Sequence, residues 1–219
     1  MKLQAAAILF DNDGVLVDSH QQVERAWRQL AAEYRLDYDK LATELVGARA
    51  VDTLERHLSP TGAAQAVVRL EELEVELAAS VRPMAGALDL IGRLPALSWT
   101  IVTSASLRLA TARWAAAGIP IPARIVTAED VSRGKPDPGP FLEAARLLEV
   151  DPNRCLVFED SSPGGVAATA AGTRVVAVGS QPWTTQPEAR IGDLTQVTAT
   201  YDTTVRVINV QLAFPQGPS

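Results

Sequence analysis

The chain has little of what would tie it to an oxidising compartment, a nucleic acid or a bilayer. A single cysteine in 219 residues excludes an internal disulfide framework. That residue, Cys155, lies in the apolar run Cys155-Leu156-Val157-Phe158, where a buried, inert thiol is expected and a reducing cytoplasm fits. Positive charge is scarce. With 20 Lys and Arg against 26 Asp and Glu the net charge is -6, which argues against nucleic acid or an anionic membrane as the main partner. No stretch approaches the ~20 apolar residues of a membrane span. The short apolar run near the N-terminus leads into acids and not into a small-residue cleavage site. The two histidines, His20 and His57, stand at no ligand spacing with other donors, so helix-face positions are expected for both. Aromatic residues make up only 5% of the chain, and Trp27, Trp99, Trp114 and Trp183 are expected to pack in the core or at its edge.

What is present is 47% hydrophobic residues, enough for a sizeable core. A soluble monomer with a small-molecule partner is the expectation. The run Ala5-Ala6-Ala7-Ile8-Leu9-Phe10 reads as one buried parallel strand that stops at Asp11. Helical periodicity then dominates from about residue 20 to residue 80, through Val23, Ala26, Trp27, Leu30 and Ala31, then Leu41 to Val46, Val51 to Leu58 and Ala64 to Ala79. Glu71, Glu72, Glu74 and Glu76 read as a solvated helix face. From Arg82-Pro83 onward strands and helices alternate. Strands are expected at Trp99 to Thr103, Arg124 to Thr127, Cys155 to Phe158 and Thr173 to Val178, with helices at Ser106 to Ala117, Gly139 to Leu148 and Gly165 to Ala171. This is the pattern of an α/β, Rossmann-like, doubly wound parallel sheet, with residues 1–18 and 82–219 as its core and 19–81 as an inserted all-helical unit. An insertion just after the first strand would overhang the carboxyl edge of the sheet as a lid. After Gly179 the rhythm weakens. Val205, Val207, Ile208 and Val210 suggest a late edge strand or hairpin before a frayed tail, Pro215 to Ser219.

Chemistry concentrates where expected strands end. Asp11 and Asp13 follow the first strand, and Gly14 permits a sharp turn. Ser104-Ala105-Ser106 follows the second, offering a hydroxyl and the free amides of a helix start. Gly134-Lys135-Pro136-Asp137-Pro138 presents a lysine on a rigid turn, and Glu159-Asp160 ends the fourth strand. Taken singly, Asp13, Asp18, Ser104 and Ser161 could be turn or capping residues and Lys135 a solvated lysine. Together they describe more. Four carboxylates in one crevice, with one lysine, call for a hard divalent cation, and Mg²⁺ suits oxygen ligands that include a phosphate. Metal, lysine, hydroxyl and helix amides form a site for a phosphoryl group.

These four segments, in this order, resemble the four motifs of the haloacid dehalogenase superfamily, and most closely its branch with a small helical cap after the first motif. The resemblance spans roughly residues 5 to 180. It implies that Asp11 is a nucleophile forming an aspartyl-phosphate, and that Asp13 is the general acid and then the base. Ser104, the Ala105 amide and Lys135 would bind the phosphoryl group. Asp11, Asp160 and the main-chain carbonyl of Asp13 would hold Mg²⁺, with Glu159 a ligand or a support behind it.

Departures from the family pattern narrow the branch. Asn12 stands where an apolar residue is commoner. Asp13 argues against dehalogenases, and Arg49, in Gly47-Ala48-Arg49, replaces the cap lysine of phosphonatases. β-Phosphoglucomutase has a histidine ten residues after its second aspartate, where this chain has Val23. The resemblance therefore implies a Mg²⁺-dependent phosphatase of small sugar or polyol phosphates such as glycerol phosphate or a hexitol phosphate. A phosphosugar mutase and a non-catalytic phosphometabolite-binding protein remain as alternatives. Glu24 and Arg49 are candidate substrate contacts from the helical insertion.

Overall fold

The computed structural model describes residues 1–45 and 47–214, so Val46 and the Pro215 to Ser219 tail lie outside the described residues. In chain order its elements begin with β1 (Lys2–Ala5), β2 (Ala7–Phe10) and β3 (Val17–Asp18). Helices α1 (His20–Tyr34), α2 (Tyr38–Ala42), α3 (Ala50–Leu54) and α4 (Pro60–Leu77) follow. After them come β4 (Arg82–Pro83), α5 (Ala87–Ile91), β5 (Trp99–Val102), α6 (Leu107–Ala117), β6 (Ile125–Val126) and α7 (Gly139–Leu147). The chain continues with β7 (Cys155–Glu159), α8 (Ser162–Ala170), β8 (Arg174–Val178), β9 (Ala189–Ile191), β10 (Val197–Asp202) and β11 (Val207–Leu212).

Six strands form a sheet in the order β6-β5-β2-β7-β8-β9, every pair parallel. Its central strands are buried along their whole length because helices cover both faces. One face packs Ile8, Phe10, Ile101 and Phe158 against Leu90, Ala110, Trp114 and Ala117 of α5 and α6. The other packs Leu9, Val102 and Val157 against Phe141, Ala144, Ala167 and Ala168 of α7 and α8. Phe10 stacks on Phe158 with ring centroids 5.5 Å apart, which locks β2 to β7 at their carboxyl ends. Strand β2 has β5 on one side and β7 on the other, so the crevice outside its carboxyl end is where the strand order reverses.

Strand β3 pairs antiparallel with β4, joining the entrance and exit of the helical insertion. The insertion has its own apolar centre, where Ala26, Trp27, Leu30 and Ala31 of α1 meet Ala63, Ala66, Leu70 and Leu73 of α4. Ser59 caps α4 by accepting from the Gly62 amide, and Pro60 occupies its first turn. No helix among the described residues is long and apolar enough to cross a membrane.

The structure departs from the sequence expectations at both ends. Ala5 to Phe10 is not one strand. Its first residue ends β1, which pairs antiparallel with β11, and only Ala7–Phe10 joins the parallel sheet. The change of partner occurs at Ala6, whose amide donates to the Arg154 carbonyl at 2.8 Å. The late segment is a hairpin, but β11 is the central strand of a three-stranded sheet, β1-β11-β10, and not an edge. Alternation of buried Val197 and Ala199 with exposed neighbours, opposite Ile208, Val210 and Leu212, turns one face of this sheet onto the main core. The second segment of the insertion is also shorter than its apolar pattern, ending at Ala42.

Candidate active site

The Asp11 amide donates to the Phe158 carbonyl at 2.9 Å, extending the β2–β7 register one residue beyond β2 and fixing Asp11 at the sheet edge. The chain then folds back sharply, with the Asn12 carbonyl accepting from Leu16 at 2.8 Å and Val17 at 3.0 Å. Gly14 makes this turn with φ of +80°, and a Cβ there would strike the Asp160 carboxylate, so only glycine fits.

Lys135, on the loop between β6 and α7, is buried, and its Nζ donates to Asp11 Oδ1 and, at 2.7 Å, to Glu159 Oε2. Glu159 ends β7 with no exposed surface, and its Oε1 accepts from the Ser161 amide at 3.1 Å and hydroxyl at 2.6 Å. Both Glu159 oxygens are therefore bonded. Gly164 lies so close that a Cβ would collide with that carboxylate. Asp160, next in sequence, lines the cavity and has His20 Nε2 at 3.5 Å.

Oxygen atoms of Asp11, Glu159 and Asp160 lie within 4.8 Å of one another. With Lys135 as their buried cation, the group is short of positive charge. Burial, reinforced by Glu159 and opposed by Lys135, pushes Asp11 well above the usual carboxylate range. Burial also raises Asp160, against the pull of His20. Burial would lower the Lys135 ammonium, but Asp11 and Glu159 override it and hold it above its ordinary value. The carboxylates of Asp11 and Asp160, with Glu159 bonded behind them, form a cluster of hard oxygen donors that fits a divalent cation such as Mg²⁺. Cys155 belongs to neither site nor surface: it is buried, and burial pushes its thiol up to about 12.

Asp13 lies across the crevice. Its Oδ1 accepts from the Ser19 hydroxyl and from Arg113 Nη1 at 2.9 Å, and its Oδ2 from Asn12 Nδ2 at 3.1 Å. Asn12 is itself held by the indole of buried Trp114 at 2.7 Å, which explains a polar residue between the two aspartates. Ser104 and Ala105 line the same cavity. The Ser104 hydroxyl donates to the Gly47 carbonyl of the insertion at 3.0 Å, and the Ala105 amide to Thr103 Oγ1 at 3.0 Å.

The cavity between core and insertion has a volume of about 250 Å³. Asp11, Asp13, Ser104 and Asp160 form one wall, while Val23, Trp27, Val67, Leu70 and Leu109 give the other an apolar character. Arg49 is at the rim, but its guanidinium is engaged. It forms a two-pronged pair with Asp52 at 2.8 Å and donates to the carbonyls of Val131 at 3.1 Å and Ser132 at 3.2 Å, tying the insertion to the core. Glu24 does not line the cavity; it is exposed and paired with Arg28 at 2.8 Å.

Three expectations need correction. Glu74 is not on a solvated face: it is buried and paired at 3.0 Å with Arg113, because it falls beside Leu70 and Leu73 on the stripe that α4 turns inward. Glu71 also lines the cavity, accepting from Ser106 and from Arg108 at 2.9 Å. His20 starts α1 but reaches over the acidic cluster and is not merely a helix-surface residue; the bond to Asp160 raises its imidazole above the ordinary value. The sequence reading also missed Arg113 and Ser19. A signal for Arg113 existed, since it falls in register with Leu109, Ala110, Trp114 and Ala117 on the buried face of α6.

A family model described as haloacid dehalogenase-like hydrolase matches residues 5–172. The chain belongs to the haloacid dehalogenase-like hydrolases. It is 35% identical over 206 residues to hexitol phosphatase A of Escherichia coli, covering 90% of this chain and 95% of that one. It is 29% identical over 190 residues to glycerol-1-phosphate phosphohydrolase 2 of Saccharomyces cerevisiae, covering 81% and 76%. Among solved structures, a hydrolase from Pseudomonas syringae shares the fold, with a TM-score of 0.77 at 24% identity over 87% of this chain and 94% of that one. Within this family, and with phosphatases as relatives, the haloacid dehalogenase-like chain is a phosphoric monoester hydrolase.

Proposed function

We propose that this phosphatase is Mg²⁺-dependent and hydrolyses small, otherwise uncharged sugar or polyol monophosphates through an aspartyl-phosphate on Asp11. The observation that carries this reading is the meeting of Asp11, Asp13 and Asp160 on one wall of the cavity, with Lys135 buried behind them and bonded to Asp11. Asp11, Asp160 and the Asp13 main-chain carbonyl would hold the cation, which when bound supplies charge neutralisation for a dianionic phosphoryl group. Glu159 supports Lys135 and Ser161 from behind, as both of its oxygens are already bonded.

An Asp11 carboxylate oxygen attacks phosphorus as the phosphorus–oxygen bond to the alcohol breaks, and Asp13 gives a proton to the departing oxygen. Water then loses a proton to Asp13 and attacks the phosphorus of the aspartyl-phosphate, releasing inorganic phosphate and the Asp11 carboxylate. Lys135 keeps Asp11 oriented throughout. Ser104 exchanges the Gly47 carbonyl for a phosphoryl oxygen, a stronger acceptor because it is charged. Residues 19–81 act as a cap that excludes water, with Arg49 as a latch to the Val131 and Ser132 carbonyls.

The rest of the substrate is constrained by size and charge. About 250 Å³ is small for a ligand pocket. Both arginines lining it, Arg49 and Arg113, are neutralised by carboxylates, so among the described residues no free arginine or lysine awaits a second anionic group. Glu71 on the far wall can accept from hydroxyls. Val23 lines the cavity and offers no proton-transfer group for a mutase. Phosphate release from hexitol, glycerol and hexose monophosphates, compared with phosphoglycolate and sugar bisphosphates, tests this reading with Mg²⁺ and with EDTA. Metal-dependent turnover ranked toward uncharged alcohols is expected; turnover in EDTA, or a preference for doubly anionic substrates, would overturn it.

A further inference from the structure

We infer that Arg113, anchored by Glu74, is a positioning residue that fixes the Asp13 carboxylate for proton transfer. The inference rests on the reading of Asp13 as the general acid. Arg113 is only 2% exposed, on the inward face of α6. Its Nη1 meets Asp13 Oδ1 at 2.9 Å and its Nη2 meets Glu74 Oε1 at 3.0 Å, while Nε has no partner among the described residues. The two terminal nitrogens therefore set where the guanidinium lies, and its planar fork converts the fixed position of α4 into a fixed position for Asp13.

The contacts also select which oxygen works. Oδ1 already accepts from Arg113 and from Ser19, whereas Oδ2 accepts only from the neighbouring Asn12. A proton on Asp13 resides on Oδ2, and loss of Arg113 frees the carboxyl to rotate about its side-chain bonds. Such misplacement removes proton transfer without removing phosphoryl binding, which depends on other residues.

The test compares kcat/KM for the best alkyl phosphate of the panel above with kcat/KM for p-nitrophenyl phosphate, whose leaving group needs no proton. Arg113→Met is one variant. Arg113→Met/Glu74→Met is a second that leaves no unpaired buried carboxylate, should the first fail to fold. Both are expected to lower the alkyl-to-aryl ratio ~10-fold, part of the ~10²- to 10⁴-fold that acid catalysis supplies, with KM little changed. Arg113→Lys should restore part of it. An equal loss on both substrates, or no loss, would make the pair merely structural and overturn the inference. Asp13→Asn separates the two readings: if it leaves the ratio unchanged, the acid role itself fails, and if it lowers the ratio while the Arg113 variants do not, only the positioning role fails.

Discussion

The floor of the cavity and its helical roof both carry charged side chains, but they are organised in different ways. On the floor, Asp11, Glu159 and Asp160 lie together, Lys135 pairs with Asp11 and Glu159, and only the half-exposed His20 approaches Asp160, at 3.5 Å, so carboxylates outnumber buried cations. On the roof side, arginines are matched by carboxylates: Arg49 by Asp52, Arg108 by Glu71, and Arg113 by Glu74 and Asp13. A site that keeps unbalanced charge under burial has raised carboxylate pKa values and an appetite for a cation. A wall of balanced pairs discriminates by shape and hydrogen bonding instead. The contrast matches the proposed division between a floor that performs chemistry and a roof that selects what enters.

The largest effect expected from this contrast lies on the floor. Asp11→Asn should reduce turnover below ~10⁻⁴ of the parent rate, because it removes the proposed nucleophile, and steady-state phosphate release measures it. Asp13→Asn should lower kcat by ~10²- to 10⁴-fold and leave metal binding intact, since the main-chain carbonyl survives; calorimetric titration with Mg²⁺ checks the second half. Mg²⁺ at 100 times its Kd should stabilise the protein by about 2.7 kcal/mol, a rise in Tm of roughly 5–10 °C, and Asp160→Asn should abolish that rise.

The smallest effect concerns the roof pair. Burial pushes Glu74 from an ordinary 4.5 to about 7, with Arg113 opposing. A raised carboxyl pKa contributes stability that is present below pH 4.5 and lost as pH rises through about 7. Glu74→Gln keeps an oxygen for Arg113 and removes the buried charge. It should therefore raise stability at pH 8, by at most ~3 kcal/mol, and change it little at pH 5, as urea denaturation at the two pH values would show.

The same contrast explains what could be read in the sequence. Asp11, Ser104 and Asp160 sit at the ends of short apolar strands and Lys135 on the loop that follows β6, so their order in the chain translates into convergence at one sheet edge, and the parallel architecture follows from the alternation that surrounds them. Roof residues sit on helices, where function depends on which way a side chain faces. Glu71 to Glu76 looked like one acidic face, yet α4 buries Glu74 and brings Glu71 to the cavity, because the stripe of Ala63, Ala66, Leu70 and Leu73 sets its rotation. Arg113 escaped notice because a helix start and an aliphatic face drew attention to its neighbours, although a charge at a core position signals a buried partner. The strands β1, β9 and β10 were illegible for a different reason. Strand β9 is only three residues long and β10 is half-exposed, while β1 is short and gains its partner, β11, from the far end of the chain.

The covalent step proposed for Asp11 can be tested directly. Asp13→Asn mixed with p-nitrophenyl phosphate and Mg²⁺ should form the aspartyl-phosphate, whose leaving group needs no acid, and then stall for want of a base. The expected result is a burst of one p-nitrophenol per enzyme, with a phosphoryl group on the acid-quenched peptide that contains Asp11. A parent enzyme that turns over while this variant shows neither burst nor adduct would contradict nucleophilic catalysis by Asp11.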